Sequence, residues 1–163
     1  MHSSRWIRKQ SQCGFSLTEA LIVVAIIGIM LLFSLPAIAE RYKGYKIRTM
    51  VNELSSDLKA ARHTAITKRA DVDFTVRDEG DSPPNQYTYT NAKGVVRLVN
   101  TPEGIAITTA PASAFTFERN GGLDGSAETI VLEAQVSSDR IDQYTVNISI
   151  VGMVTIDYSA VAP

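Results

Sequence analysis

Gly14-Phe15-Ser16-Leu17-Thr18-Glu19, followed by Ala20-Leu21-Ile22-Val23-Val24-Ala25-Ile26-Ile27-Gly28-Ile29, decides the architecture of this 163-residue chain. From Ala20 to Leu35 no residue is charged, and nothing is more polar than Ser34. Phe15 to Leu35 is about 21 residues. At about 1.5 Å rise per residue it makes a helix of about 30 Å, long enough to cross a hydrocarbon core. Arg5, Arg8 and Lys9 precede it without an intervening acid. Beyond Arg41 the composition becomes mixed.

Three routes lead from such a segment. A secretory signal would be cut after Ala37-Ile38-Ala39, but this apolar core exceeds the roughly 7–15 residues of a signal and would have to accept Glu19 near its start. A plain membrane anchor would stay uncut. The third route is a leader removed in front of the apolar run. A lipoprotein reading of Cys13 fails on order, because the cysteine precedes that run.

The third route accounts for more residues. Gly14 to Ile29 closely resembles the type IV prepilin signature: a short basic leader ending in glycine, an aromatic first mature residue, a glutamate four positions later and an unbroken apolar helix. Pro36 matches the family's proline in the same helix. The resemblance implies that a prepilin peptidase at the inner membrane cuts between Gly14 and Phe15 and N-methylates Phe15. It also implies that Glu19 pairs with the Phe15 amine of a neighbouring subunit and sets axial register. An unpaired carboxylate in a membrane segment costs roughly 2.5–3.5 kcal/mol at the helix centre and less near the end, so a partner is expected. A local alternative is a capping box, Ser16-x-x-Glu19. Gly28 and Pro36 weaken a helix by roughly 1 and 3 kcal/mol against alanine. They mark where it could bend on packing, although both residues are also common in membrane helices.

Removing residues 1–14 takes away three of sixteen bases and no acid, leaving thirteen against seventeen, a net charge near −4. That balance gives no electrostatic reason to expect broad nucleic-acid binding. Cys13, the single cysteine, leaves with the leader, and redox compartment is not decided. The basic start favours a cytoplasmic N-terminus, but Arg41, Lys43, Lys46 and Arg48 follow the apolar run and blur the charge rule. The resemblance, not the charge count, places the globular domain in the periplasm.

Past Pro36 the chain turns amphipathic. Ile47, Met50, Val51, Leu54, Leu58, Ala61 and Ala65 recur three or four apart, with Glu53, Asp57, Lys59, Arg62 and Lys68 mostly off that stripe. The helix is expected to run to about Arg69 and to cover a sheet. From Asp71 the period becomes two. Val72/Phe74/Val76, Tyr87/Tyr89, Val95–Val99, Ile105/Ile107, Phe115/Phe117, Ile130/Leu132, Tyr144/Val146/Ile148/Ile150 and Val154/Ile156/Tyr158 predict eight short strands. Asn91-Ala92-Lys93-Gly94, Asn120-Gly121-Gly122 and Gly152 read as turns. The expected fold is α+β: a long N-terminal helix, its first half membrane-spanning, packed against antiparallel β-sheets. The expected division is leader 1–14, filament-core helix 15–36, amphipathic helix 37–69 and β-rich domain 70–163.

The order of these pieces, with Ala60–Arg69 ending the helix and Phe115–Gly121 leading to a strand and a hairpin centred on Gly152, resembles the GspH/FimT group of minor pilins and pseudopilins. The resemblance implies a structural subunit that primes or caps a type IV pilus or type II secretion pseudopilus. Its implied partners are the prepilin peptidase, other major and minor pilins, an inner-membrane assembly platform and lipid. A DNA-binding minor pilin for transformation is the alternative, but Gly152-Met153-Val154-Thr155-Ile156-Asp157 carries no lysine or arginine where FimT-like DNA binders do. No catalytic or cofactor pattern occurs. His63, the only histidine of the mature chain, reads as an ordinary helix-surface residue. Asp78-Glu79-Gly80-Asp81 lacks the ligand spacing of an EF-hand and reads as a solvated loop.

Overall fold

The computed structural model describes residues 16–162, apart from the side chains of residues 32–37. Gly14, Phe15, Cys13 and the ring of Pro36 therefore lie outside the described residues. The chain divides between Ile38 and Ala39 into two compact units.

Helix α1 runs Leu17–Lys68. Its end is sharp and one residue short of the expected position. Arg69 takes a left-handed φ of 51°, and the Ala70 N–H reaches back to the Ala65 carbonyl at 3.2 Å. This is a Schellman-type stop with arginine where glycine is usual.

In the second unit, eight strands follow α1: β1 Val72–Arg77, β2 Gln86–Thr90, β3 Val96–Asn100, β4 Ala106–Thr109, β5 Phe115–Phe117, β6 Glu128–Ser137, β7 Arg140–Ile148 and β8 Val154–Val161. They form two four-stranded sheets, β3-β2-β1-β5 and β4-β6-β7-β8, with every pairing antiparallel. The α+β expectation holds, and each strand lies where period-two alternation placed it. Val95 and Ile105 fall one residue before β3 and β4, and Ile150 departs for a different reason. Ile150 continues the alternation of Tyr144, Val146 and Ile148, yet β7 ends at Ile148 and Ile150 is exposed. The Gly152 N–H closes a tight turn on the Ser149 carbonyl at 2.7 Å, and this turn ends the strand first.

A single core joins the second half of α1 to both sheets. All seven residues of the predicted stripe, Ile47 through Ala65, are buried in it. The first sheet contributes an aromatic layer: Phe74 stacks with Tyr87, Tyr89 and Phe115, each at 5.4 Å between centroids. The second contributes aliphatic residues, among them Ile107, Ile130, Leu132, Val146 and Ile148. At about 25 cal/mol per Å² of apolar area removed from water, such a core is the main term holding helix to sheets.

Two turns interlock at the end of this unit. The Gly121 N–H bonds the Glu118 carbonyl at 2.7 Å, and the Leu123 N–H bonds the Ile150 carbonyl at 2.9 Å. Gly152 has φ +72°, and a Cβ there would be driven into the Gly121 carbonyl oxygen. Glycine is thus required twice over, by backbone conformation and by close approach.

Candidate functional site

Three features of the described residues bear on function: the apolar start of α1, and two buried aspartates that fasten the β-domain. Glu19 stands in the first turn of α1, where an acid suits the helix dipole. The capping box is not formed: Ser16 Oγ pairs with Thr18 Oγ1 at 2.8 Å. Glu19 is exposed, and among the described residues it has no hydrogen-bond or ion-pair partner.

Leu21, Ile22, Val24, Ile26, Ile27, Ile29 and Leu31 are all exposed, so apolar side chains cover every face of this part of the helix. A helix apolar all round is one that is normally buried. Such a surface in water is unfavourable, and only lipid or neighbouring apolar helices relieve it. No helix among the described residues is long and apolar enough to cross a membrane. The described side chains of the run end at Leu31, short of the roughly 20 residues a span needs. Gly28 lies in the open, with nothing within 4 Å of where a Cβ would be.

Just past this run α1 displays Tyr42 and Tyr45, 65% and 70% exposed, beside exposed Arg41, Lys43 and Arg48. Amphipathic rings and cations at the end of an apolar helix suit a membrane–water boundary. Lys46 serves the domain instead: its Nζ donates to the Glu103 carbonyl at 2.5 Å.

Asp57, expected off the apolar stripe, is 5% exposed and lies within it. Tyr87 and Tyr89 of β2 donate their hydroxyls to its two oxygens at 2.8 and 2.9 Å. Arg97 of β3 approaches Oδ1 at 3.3 Å and reaches Glu53 at 2.7 Å. Burial, followed by the bond to Asp57, pushes the Tyr87 phenol far above its ordinary value, and the same causes raise Tyr89. A phenol so held keeps its proton and is no nucleophile. The cluster fastens the helix to the first sheet.

Asp142 of β7 does similar work on the second sheet. It is buried, accepts from Tyr158 at 3.1 Å and pairs with Arg140 at 3.0 Å. Its Oδ2 lies 3.5 Å from where a Cβ on Gly44 of α1 would be. Sequence reasoning missed both aspartates. Position 57 does complete the helical spacing of 50, 54 and 61, and Tyr87 and Tyr89 share one face of β2. Those were the available signals.

His63 is exposed, 3.3 Å from Thr67 on its own helix. In the acidic loop, Asp78 and Asp81 accept from backbone N–H groups of Gly80 and Asp78. No group of three or more His, Cys, Asp or Glu side chains is placed to hold a metal among the described residues.

Residues 50–152 match the family described as type II transport protein GspH. Residues 9–35 match the prokaryotic N-terminal methylation motif. Neither a curated protein nor a solved structure gives a significant match.

Proposed function

This chain belongs to the GspH family of type II transport proteins, and from that premise we propose that it primes or caps a secretion pseudopilus as a minor subunit. It is a pilin-type protein and acts by packing. One observation carries the reading. A methylation motif at 9–35 adjoins a helix whose described apolar side chains are exposed on every face, and the same helix continues into the β-domain.

In this reading the prepilin peptidase removes residues 1–14 and methylates Phe15. Glu19 then meets the new amine on a neighbouring subunit, which supplies the partner its carboxylate lacks. Residues 15–36 hold the chain in the inner membrane and later form the shared filament core, and Gly28 and Pro36 let that segment bend. Residues 37–69 carry the periplasmic β-domain, and Tyr42, Tyr45 and the adjoining cations meet the headgroups. The assembly platform and the other pilin-type subunits are its partners.

Deleting the gene in its host tests the role. A priming or capping subunit, being needed once per filament, lowers the number of pseudopili per cell and the release of type II substrates. Unchanged filament number and unchanged secretion would contradict it.

A further inference from the structure

Arg62 lies on α1, two turns before its end, and is half-buried. Its Nε donates to the Gly121 carbonyl at 2.9 Å. A Cβ on Gly152 would lie 2.9 Å from that Nε and 3.1 Å from the Arg62 Cδ. The side chain is therefore threaded between the two interlocked turns and fixed there. Beyond Nε, the terminal guanidinium nitrogens have no partner among the described residues. Glu118, the acid that lines the same groove as Arg62, is held by Asn120 at 2.8 Å and forms no ion pair with Arg62.

Around this cation exposed apolar side chains stand among polar ones, Glu118 and Asn120 in the groove and Lys59 and His63 beside it. Ile150 and Val151 line the groove on one side. Ile66 stands on the other, beside Lys59 and His63. Ile66, Ile150, Val151 and Met153 are between 44% and 61% exposed. A net-acidic domain thus presents a guanidinium fixed through Nε, its terminal nitrogens unpartnered among the described residues, beside exposed Ile66, Ile150 and Val151.

We infer that Arg62 is the docking point for a carboxylate on an apolar-flanked segment of a different filament subunit. Charge complementarity selects the occupant. A pinned guanidinium loses little rotamer freedom on pairing, and its planar fork suits a carboxylate bidentately. An apolar-flanked partner segment packed on Ile66, Ile150 and Val151 would exclude water and strengthen the charge-assisted bonds, and arginine is a typical hot-spot residue in such contacts. Nucleic acid fits worse: phosphate-backbone binding needs several cations, whereas β8 and its preceding turn have none, and Lys59 is the one further lysine or arginine lining this surface. The inference rests on the filament reading and adds the chemistry of the partner.

The test places photoreactive benzoylphenylalanine at Met153 of the full-length chain in assembling cells, with a second probe at Thr145 on the other face of the second sheet. The Met153 probe is expected to crosslink to a different pilin-type subunit, at a segment containing Asp or Glu beside apolar residues. Arg62→Glu should lower the crosslinked fraction about tenfold or more, as loss of a desolvated charge pair does. Reversing the mapped acid to arginine should restore it. Arg62→Glu also removes the bond to Gly121, so Val151→Glu, at an exposed turn position, is the second variant and should lower the crosslink as well. A mapped segment without an acid, a crosslink indifferent to both variants, or a crosslink to DNA overturns the inference. So does the absence of any Met153 crosslink. If Thr145 then still reports neighbouring subunits the filament reading stands, and if the leader is also uncut it falls too.

Discussion

The Tyr87 hydroxyl donates to Asp57 Oδ2 at 2.8 Å, tying the last quarter of the long helix to β2 of the first sheet. Asp57→Ala would leave two buried hydroxyls without an acceptor and Arg97 with one carboxylate fewer. Loss of a hydrogen-bonded buried charge predicts about 3 kcal/mol of destabilisation. Asp57→Asn keeps an acceptor and should cost about 1–2 kcal/mol. Urea unfolding of the detergent-solubilised protein checks the order. Equal losses would mean that the carboxylate's charge and bonds contribute nothing beyond its volume.

The same pair sets a pH limit. The Tyr87 phenol is raised in the folded state, chiefly by burial and then by Asp57. The unfolded chain therefore releases this proton first. Stability from Tyr87 is complete below about pH 10 and declines above it, by about 1.4 kcal/mol per pH unit while the folded phenol stays protonated. Tyr87→Phe should flatten the decline between pH 10 and 12 relative to wild type, measured by chemical denaturation at each pH. Parallel curves would rule out this source.

Two glycines of similar φ should behave differently. Gly94 has φ +77° with nothing within 4 Å of a Cβ, while a Cβ on Gly152 would meet the Gly121 carbonyl and Arg62. Gly94→Ala should cost about 1–2 kcal/mol, the left-handed penalty alone. Gly152→Ala adds an overpacking cost of about 1–3 kcal/mol. Thermal unfolding of both variants decides it, and equal shifts would contradict the close approach.

Ion pairs in this domain should differ just as plainly. Arg119 and Asp71 are exposed and 3.9 Å apart, so Arg119→Ala should change stability by less than about 0.5 kcal/mol. Arg97 reaches buried Asp57 as well as Glu53, and Arg97→Ala should cost about 1–2 kcal/mol. Denaturant midpoints of the two variants separate them.

Much of this fold is legible in the sequence because burial repeats. The stripe from Ile47 to Ala65 keeps helical spacing, and Phe74, Tyr87 and Phe117 sit at alternating strand positions, so period alone locates helix and strands. The periodic argument fails where a polar residue occupies an apolar position. Asp57 has the spacing of a core residue but the charge of a surface one, and its placement depends on hydroxyls thirty residues away in sequence. Arg62 was equally hidden. Its role depends on two turns, around Gly121 and Gly152, that meet only after both sheets have formed. Ile150 misled in the opposite sense, since its alternation says strand while Gly152 imposes a turn.

For the assembly role, Glu19→Val is predicted to leave cleavage after Gly14 intact and to reduce the chain's recovery in sheared filament fractions. Normal recovery would detach Glu19 from register-setting.

The central claim is tested most directly by the intact mass and N-terminal sequence of the protein purified from membranes of cells with and without prepilin peptidase. The account predicts a chain beginning at methylated Phe15 in the first case and an uncut chain in the second. An uncut chain in both, or one beginning at Glu40, would contradict it.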